Sequence, residues 1–392
     1  MRADQFHSDR SGRITTHPTG YLAFIPDRFP PSIQFSNKLI NLLNDARGHI
    51  GELAGLGRSL SNPYILVAPA IRREAVLSSQ IEGTQTGMND LLVFEAIPRE
   101  KPSKPDVREV HNYVLALEYG LERLETLPVC TRLARELHEK LMAGVRGQHA
   151  TPGEFRTTQN WIGPPGCSLA EATYVPPPPE ELDPILKVWE QYIHADDTET
   201  PDLIKLGLIH AQFELIHPFA DGNGRIGRLL TVLLMCHWQL LPQPLLYLSA
   251  FFERHRDDYY GALQNISQDG SWEEWLEFFL FGIRDQSEDA LILAMGLLDL
   301  NSQYMKKLEV EKVPAVAHRM IDQLFQNPFI DAPYIRDHFH VNFHTAQNAI
   351  ESLERLGILV ETTGKKRDRV WVALRILEII SGRYNGTDKS GH

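Results

Sequence analysis

The sequence predicts a mainly α-helical fold, with a helical core, one β-hairpin flap and a small α+β module at the C-terminal side. Apolar residues recur at helical spacing through most of the chain. One stretch, 153–179, breaks that spacing with the proline clusters GPPG and VPPPP. Beyond Lys312, short helical patterns give way to strand-like pieces around a basic turn.

Taken in order, residues 1–106 read as an N-terminal helical region. Glycines break the helical segments of 32–68, and APAIRREAVLSSQIEG then gives a cleaner helix over about 69–83, with Pro69 near its start and Gly83 as its stop. Residues 107–142 carry helical spacing that Pro128 divides into two helices. The flap at about 153–179 holds the β-prone pieces FRTTQNWI and ATYV, read as an exposed hairpin. Helical spacing resumes over 182–193 and 202–216, again from about 226 to 241, and in a further set over 257–285. These elements form a core domain of 107–285, followed by a linker helix over 286–312. Within 313–380, PAVAHRMIDQLFQ, APYIRDHF and NFHTAQNAIESLERLGI are three helices, and LVETTGKKRDRVWVA is a β-hairpin. Three helices and a hairpin predict a small winged helix-turn-helix domain, with a disordered tail over 381–392.

Composition narrows the function classes. With 392 residues, 43% of them apolar and 23% charged, the chain has the make-up of a soluble globular protein with more than one core. A net charge of −12 argues against a protein that coats nucleic acid or an anionic membrane with its whole surface. Cys130, Cys167 and Cys236 are far apart and odd in number, which implies neither a disulfide framework nor a zinc site. The N-terminal MRADQFHSDRSGR lacks the apolar core of a signal peptide, and the most apolar stretch, 229–252, is interrupted by His237, Gln239, Pro242, Gln243 and Pro244. A cytoplasmic protein without a membrane span is expected.

The chemistry concentrates in HPFADGNGRIGR, residues 217–228. Its glycines fit G-x-G-x-x-G, but a dinucleotide fold needs a strand before them and an acidic residue about twenty positions later. The preceding LIKLGLIHAQFELI is helical in period, and no Asp or Glu occurs between Asp221 and Glu253. A glycine loop entering a helix instead presents backbone N–H groups at the positive end of the helix dipole, which is an anion cradle. Arg225 and Arg228 add forked donors that favour a polyphosphate. Asp221 is a hard oxygen ligand for Mg²⁺, Asn223 an uncharged donor to a phosphate oxygen, and His217 a general base for a hydroxyl. The set asks for phosphoryl or nucleotidyl transfer from a Mg-nucleotide. The blander reading, in which His217 and Asp221 cap a helix and the glycines only turn, leaves both arginines unexplained.

HPFADGNGRIGR resembles the signature of the Fic-domain family, H-P-F-x-D/E-G-N-G-R-x-x-R, at every fixed position. The resemblance implies a Fic-type helical bundle and AMP transfer from ATP to a hydroxyl of a target protein. It implies His217 as base, Asp221 as the Mg²⁺ ligand, and Asn223 and Arg225 as further catalytic groups, Asn223 touching the α-phosphate. Gly222, Gly224, Ile226 and Gly227 complete the nucleotide-binding loop, with Arg225 and Arg228 on the outer phosphates.

SSQIEG, residues 78–83, is similar to the family's inhibitory motif S/T-x-x-x-E-G/N. Ser78 and Glu82 are four apart and share a helix face, and the helix dipole disfavours a carboxylate at that C-terminal end unless a cation meets it. In the family this glutamate pairs with the last arginine of the signature, here Arg228, and displaces the γ-phosphate. The flap resembles the family's target-docking flap, to which a segment of the target protein adds as a strand. Tyr260, in the pair Tyr259–Tyr260, matches a tyrosine near the adenine site of relatives. The resemblance covers roughly residues 20–285.

The C-terminal module holds Lys365, Lys366, Arg367 and Arg369 in its turn, with Asn342, His344, Thr345 and Gln347 opening the helix that would read DNA. Glu351 and Glu354 on that helix oppose DNA contact, and protein docking or a homodimer is an equal use of such a module. Removal of AMP, transfer of another nucleotide, a kinase reaction on the same scaffold, and a DNA-binding regulator are the alternative functions.

Overall fold

Two helices that are buried on every side set the centre of the molecule, because a helix apolar all round must be covered all round. They are α7 (Asp202–Ile216) and α8 (Asn223–His237). Every residue of α7 after Asp202 is buried, and so is α8 from Arg225 to Met235. In this computed structural model, residues 1–60, 62–97, 104, 106–144, 151–164, 166–196, 199–311, 313–365 and 367–382 are described. Lys366 and most of the expected tail lie outside them.

The cover is built from the remaining helices. On the α8 side lie α2 (Tyr64–Ile81), α4 (Val107–Arg123) and α5 (Thr131–Leu141). On the α7 side lie α1 (Asn37–Ser59), α6 (Leu182–His194), α10 (Arg256–Asp269) and α11 (Trp272–Val310). The short helices α3 (Met88–Ala96) and α9 (Ser249–Arg254) flank α2. Gly207 allows α7 and α11 to approach closely: a Cβ there would meet Leu276 and Phe279, and Trp275 Nε1 donates to the Gly207 carbonyl at 2.9 Å.

Several sequence expectations hold element by element, including the α4–α5 break around Pro128 and the helix over 202–216. Others are corrected. The helix expected to be inhibitory begins at Tyr64, five residues before the expected start, and runs through Pro69. The expected linker helix is no separate element, because α11 continues unbroken for 39 residues. The flap is a loop with a single antiparallel bridge, Ile162 to Tyr174, since its prolines supply no N–H for a longer ladder. It leans instead on an N-terminal hairpin that sequence reading missed, β1 (Arg13–Thr16) with β2 (Leu22–Ile25), through Phe24 N–H to the Val175 carbonyl at 2.9 Å.

At the C-terminal side, α12 (Ala315–Gln326), α13 (Ala332–Phe339) and α14 (Phe343–Arg355) surround a three-stranded antiparallel sheet. Its order is β3 (Phe329–Asp331), β5 (Val370–Val372), β4 (Val360–Glu361). β3 and a last helix, α15 (Leu374–Ile380), add to the three helices and hairpin expected.

Candidate active site

The loop between α7 and α8 is built by two left-handed residues. His217 ends α7 at φ 50°, and Gly222, at φ 77°, caps the start of α8. Asn223 braces the turn by both ends of its amide: Oδ1 accepts from Phe219 N–H and Nδ2 donates to the Phe219 carbonyl, each at 2.8 Å. The amide expected on a phosphate is therefore engaged within the loop.

Sequence reading also missed two buried side chains that clamp this loop from outside it. His138 on α5 stacks on Phe219 with ring centroids 3.9 Å apart. Its Nδ1 accepts from Gly153 N–H at 2.9 Å, so its Nε2 carries the proton and donates to the Asp221 carbonyl at 3.1 Å. Arg156 donates through Nε to the His217 carbonyl at 2.9 Å and through Nη2 to the Pro177 carbonyl at 2.5 Å. Its backbone N–H bonds the Pro218 carbonyl. Together they tie the flap to the HPF segment. Only the FR of GEFR, and a histidine beside the Leu133–Leu137–Leu141 stripe, marked them in the sequence.

The His217 ring points Nδ1 at the Glu214 carbonyl, 3.3 Å away, which leaves Nε2 as the unprotonated nitrogen. Burial, with Arg156 nearby, lowers its pKa to about 4. It is a neutral base at any pH above that. Asp221, with 55% of its side chain exposed, sits at the mouth of the loop, where Oδ1 accepts from Gly222 N–H at 2.6 Å.

Arg225 is 5% exposed, yet its Nε and Nη1 have no hydrogen-bond partner. Its nearest carboxylate oxygens, on Glu109 and Asp221, stand 3.8 and 3.7 Å away. A buried guanidinium with unmade hydrogen bonds beside a helix N-terminus is poised for an anion.

Arg228 is engaged through Nε and Nη2. Nε donates to Ser78 Oγ at 2.8 Å, and Nη2 to the Ser78 carbonyl at 2.9 Å and to Glu82 Oε1 at 2.7 Å. Burial opposes the charge of Glu82, but Arg228 and Arg225 outweigh it and hold the carboxyl below its ordinary pKa. Gly83 (φ 96°) lets the chain turn away after Glu82, so the carboxylate lies over the start of α8. A Cβ added at Gly224 would collide with Glu82 Oε1 and come within 2.9 Å of Arg228 Nη1. Ser78, Glu82, Gly224 and Arg228 are thus brought together. A Cβ at Gly227 would collide with Glu214 Oε1, which has no hydrogen-bond partner; burial raises the Glu214 carboxyl pKa to about 8. Ile226 is buried in the core under the loop.

Tyr260 is 39% exposed, and burial followed by the Glu82 charge raises its pKa to about 12. Tyr259 is buried instead, its hydroxyl on His210 Nε2 at 2.9 Å.

Residues 40–122 match the Fic/DOC family N-terminal domain and residues 128–235 the Fic/DOC family domain. Both matches lie within residues 40–235. It is 24% identical over 229 residues to the protein adenylyltransferase Fic of Drosophila grimshawi, covering 55% of this chain and 42% of that protein. It is 27% identical over 211 residues to protein adenylyltransferase fic-1 of Caenorhabditis briggsae, covering 50% of this chain and 37% of that one. The chain spans less than half the length of these curated relatives. A Fic family protein of Desulfovibrio desulfuricans superposes with a TM-score of 0.57 at 19% identity, over 88% of this chain and 98% of that one. A Fic domain containing signaling protein of Bacteroides thetaiotaomicron gives 0.51 at 17% identity, over 67% and 96%. The fold is the Fic fold. Among the described residues no helix is long and apolar enough to cross a membrane.

Proposed function

We propose that this protein transfers AMP from ATP to a hydroxyl of a target protein and restrains itself through Glu82. The observation that carries the reading is the state of the two arginines. Arg225 waits with unmade hydrogen bonds, while Arg228 is held by the protein's own carboxylate. An outer phosphate of ATP would take the place that Glu82 now holds on Arg228.

In the unrestrained state the target hydroxyl oxygen attacks the α-phosphorus in line. The hydroxyl proton passes to His217 Nε2, the bond from the α-phosphorus to the bridging oxygen breaks, and pyrophosphate leaves. Arg225 and the N–H groups opening α8 balance the charge that develops on the phosphates. Asn223, His138 and Arg156 hold the loop in shape. Among the described residues no three acidic, histidine or cysteine side chains gather into a metal site. The lone exposed Asp221 suits a Mg²⁺ held mainly by phosphate oxygens, which would neutralise phosphate charge. The target segment would lie along the flap, and Tyr260 would flank the nucleotide base.

A DNA-binding regulator is the second class of reading, resting on Lys365, Arg367 and Arg369 at the C-terminal hairpin. Against it, Gln347 on α14 is engaged with Glu351 at 3.0 Å. The deciding experiment gives the full-length Glu82→Gly protein ATP labelled at either the α- or the γ-phosphate, with a cell lysate as target source. Protein-bound α-label that vanishes when His217→Ala is added is the expected result. Bound γ-label alone would replace adenylyl transfer with phosphoryl transfer, and α-label undiminished by His217→Ala would remove the base.

A further inference from the structure

We propose that the C-terminal module, 313–380, is the clamp that holds the inhibitory helix α2 in place, so that loosening this module is what releases the site. The proposal rests on the reading of Glu82 as the restraint.

The argument starts from α2 itself. Its buried residues include Ile65, Val67 and Ile71 early in the helix, and Val76, Ser79 and Ile81 late in it, so α2 is covered on more than the face it turns to α8. Such a helix needs neighbours on several sides. α4 and α9 cover part of it, and α12 and α15 of the module lie against it as well. The same module reaches α2 by a second route, through α3. β3 lies against α3, and Asn327, just ahead of β3, donates from Nδ2 to the Leu92 carbonyl at 2.9 Å in a buried contact. α3 is in turn tied to α2 by Arg72 Nε to Glu95 Oε2 at 2.6 Å, with His111 of α4 on the other oxygen at 3.4 Å. The Arg72–Glu95 pair is nearly buried, at 15% and 9% side-chain exposure, which makes it stiffer than a surface ion pair.

The consequence is a mechanical link through one helix. α2 is held by the module, and its C-terminal end carries Ser78 and Glu82 onto Arg228. Movement of the module away from α2 and α3 would strip apolar cover from α2 and weaken the state in which Glu82 reaches Arg228. Whatever favours the loosened module must, by the same linkage, favour nucleotide in the site.

Asn327→Asp tests this in the full-length protein. It keeps an Oδ1 to accept from Phe329 N–H, now 2.9 Å from Asn327 Oδ1, but sets an oxygen against the Leu92 carbonyl. Hydrogen exchange and ATP binding by calorimetry are the readouts. The expected result is exchange in α2 faster by about tenfold, unchanged protection in α14, and ATP binding tighter by a similar factor. The gain in ATP binding should be absent when Asn327→Asp is placed on Glu82→Gly. Unchanged exchange in α2 overturns the clamp. If Asn327→Asp unfolds the module, Tyr334→Ala decides with the same readouts, since Tyr334 on α13 lines the cleft facing Ile97 and is only partly buried. Glu82→Gly alone binding ATP no better than the natural protein would instead sink the restraint reading, while the exchange data would still judge the clamp.

Discussion

At the scale of residues, the site is organised by which charges are matched and which are left waiting. Arg228 is hydrogen-bonded to Ser78 and Glu82, whereas Arg225 Nε and Nη1 have no hydrogen-bond partner. His217 is neutral because burial opposes its charge and Arg156 repels it, so its folded pKa of about 4 lies below the ordinary 6.5. The base form then persists as pH falls from 6.5 toward about 4. A pH–rate profile of the Glu82→Gly protein should hold its plateau at pH 5.5, where an ordinary histidine would retain roughly a tenth of its base form. An acid limb centred near 6.5 would contradict this. Glu214 moves the other way: its folded pKa, about 8, lies above the ordinary 4.5. A raised carboxyl stabilises the fold only where it is protonated, so its cost grows as pH rises from 4.5 to about 8. Glu214→Gln should therefore stabilise the fold by about 1–3 kcal/mol more at pH 8 than at pH 5, read from denaturant curves at each pH. The loop's own groups were legible because they are contiguous in sequence. His138 and Arg156 were not, because a single histidine or arginine does not say which distant carbonyl it will reach.

At the scale of elements, helices of regular period were read well and loops held by tertiary contacts were not. Pro69 signalled a helix start, yet burial from Ile65 onward extends α2 in front of it, and the one N–H that proline lacks does not stop the helix. The flap was read as a hairpin from its β-prone pieces. What holds it is mostly side chain to backbone, through Arg156, Asn160 Nδ2 to the Phe219 carbonyl at 2.9 Å, and Gln159 Nε2 to the Pro176 carbonyl at 3.0 Å. Arg156→Ala leaves the His217 and Pro177 carbonyls without their donor. It should cost about 2–4 kcal/mol of stability and open the flap to limited proteolysis within 153–179. Unaltered cleavage there would assign the flap's order to the N-terminal hairpin instead.

At the scale of the molecule, the end of a helix from the N-terminal region meets α8 of the core at the ion pair of Glu82 with Arg228. The helical class and the two partners of that pair could be read in the sequence, since motif spacing marks each. Their pairing was implied by the resemblance and is met at 2.7 Å, but the contact of the C-terminal module with α2 could not be read, because burial on several faces of one helix is a property of the assembled fold. The most direct measurement of the account is the initial rate of α-label transfer from ATP in the full-length protein, natural against Glu82→Gly. The account predicts a rise of at least tenfold in the variant, and equal rates in the two would contradict it.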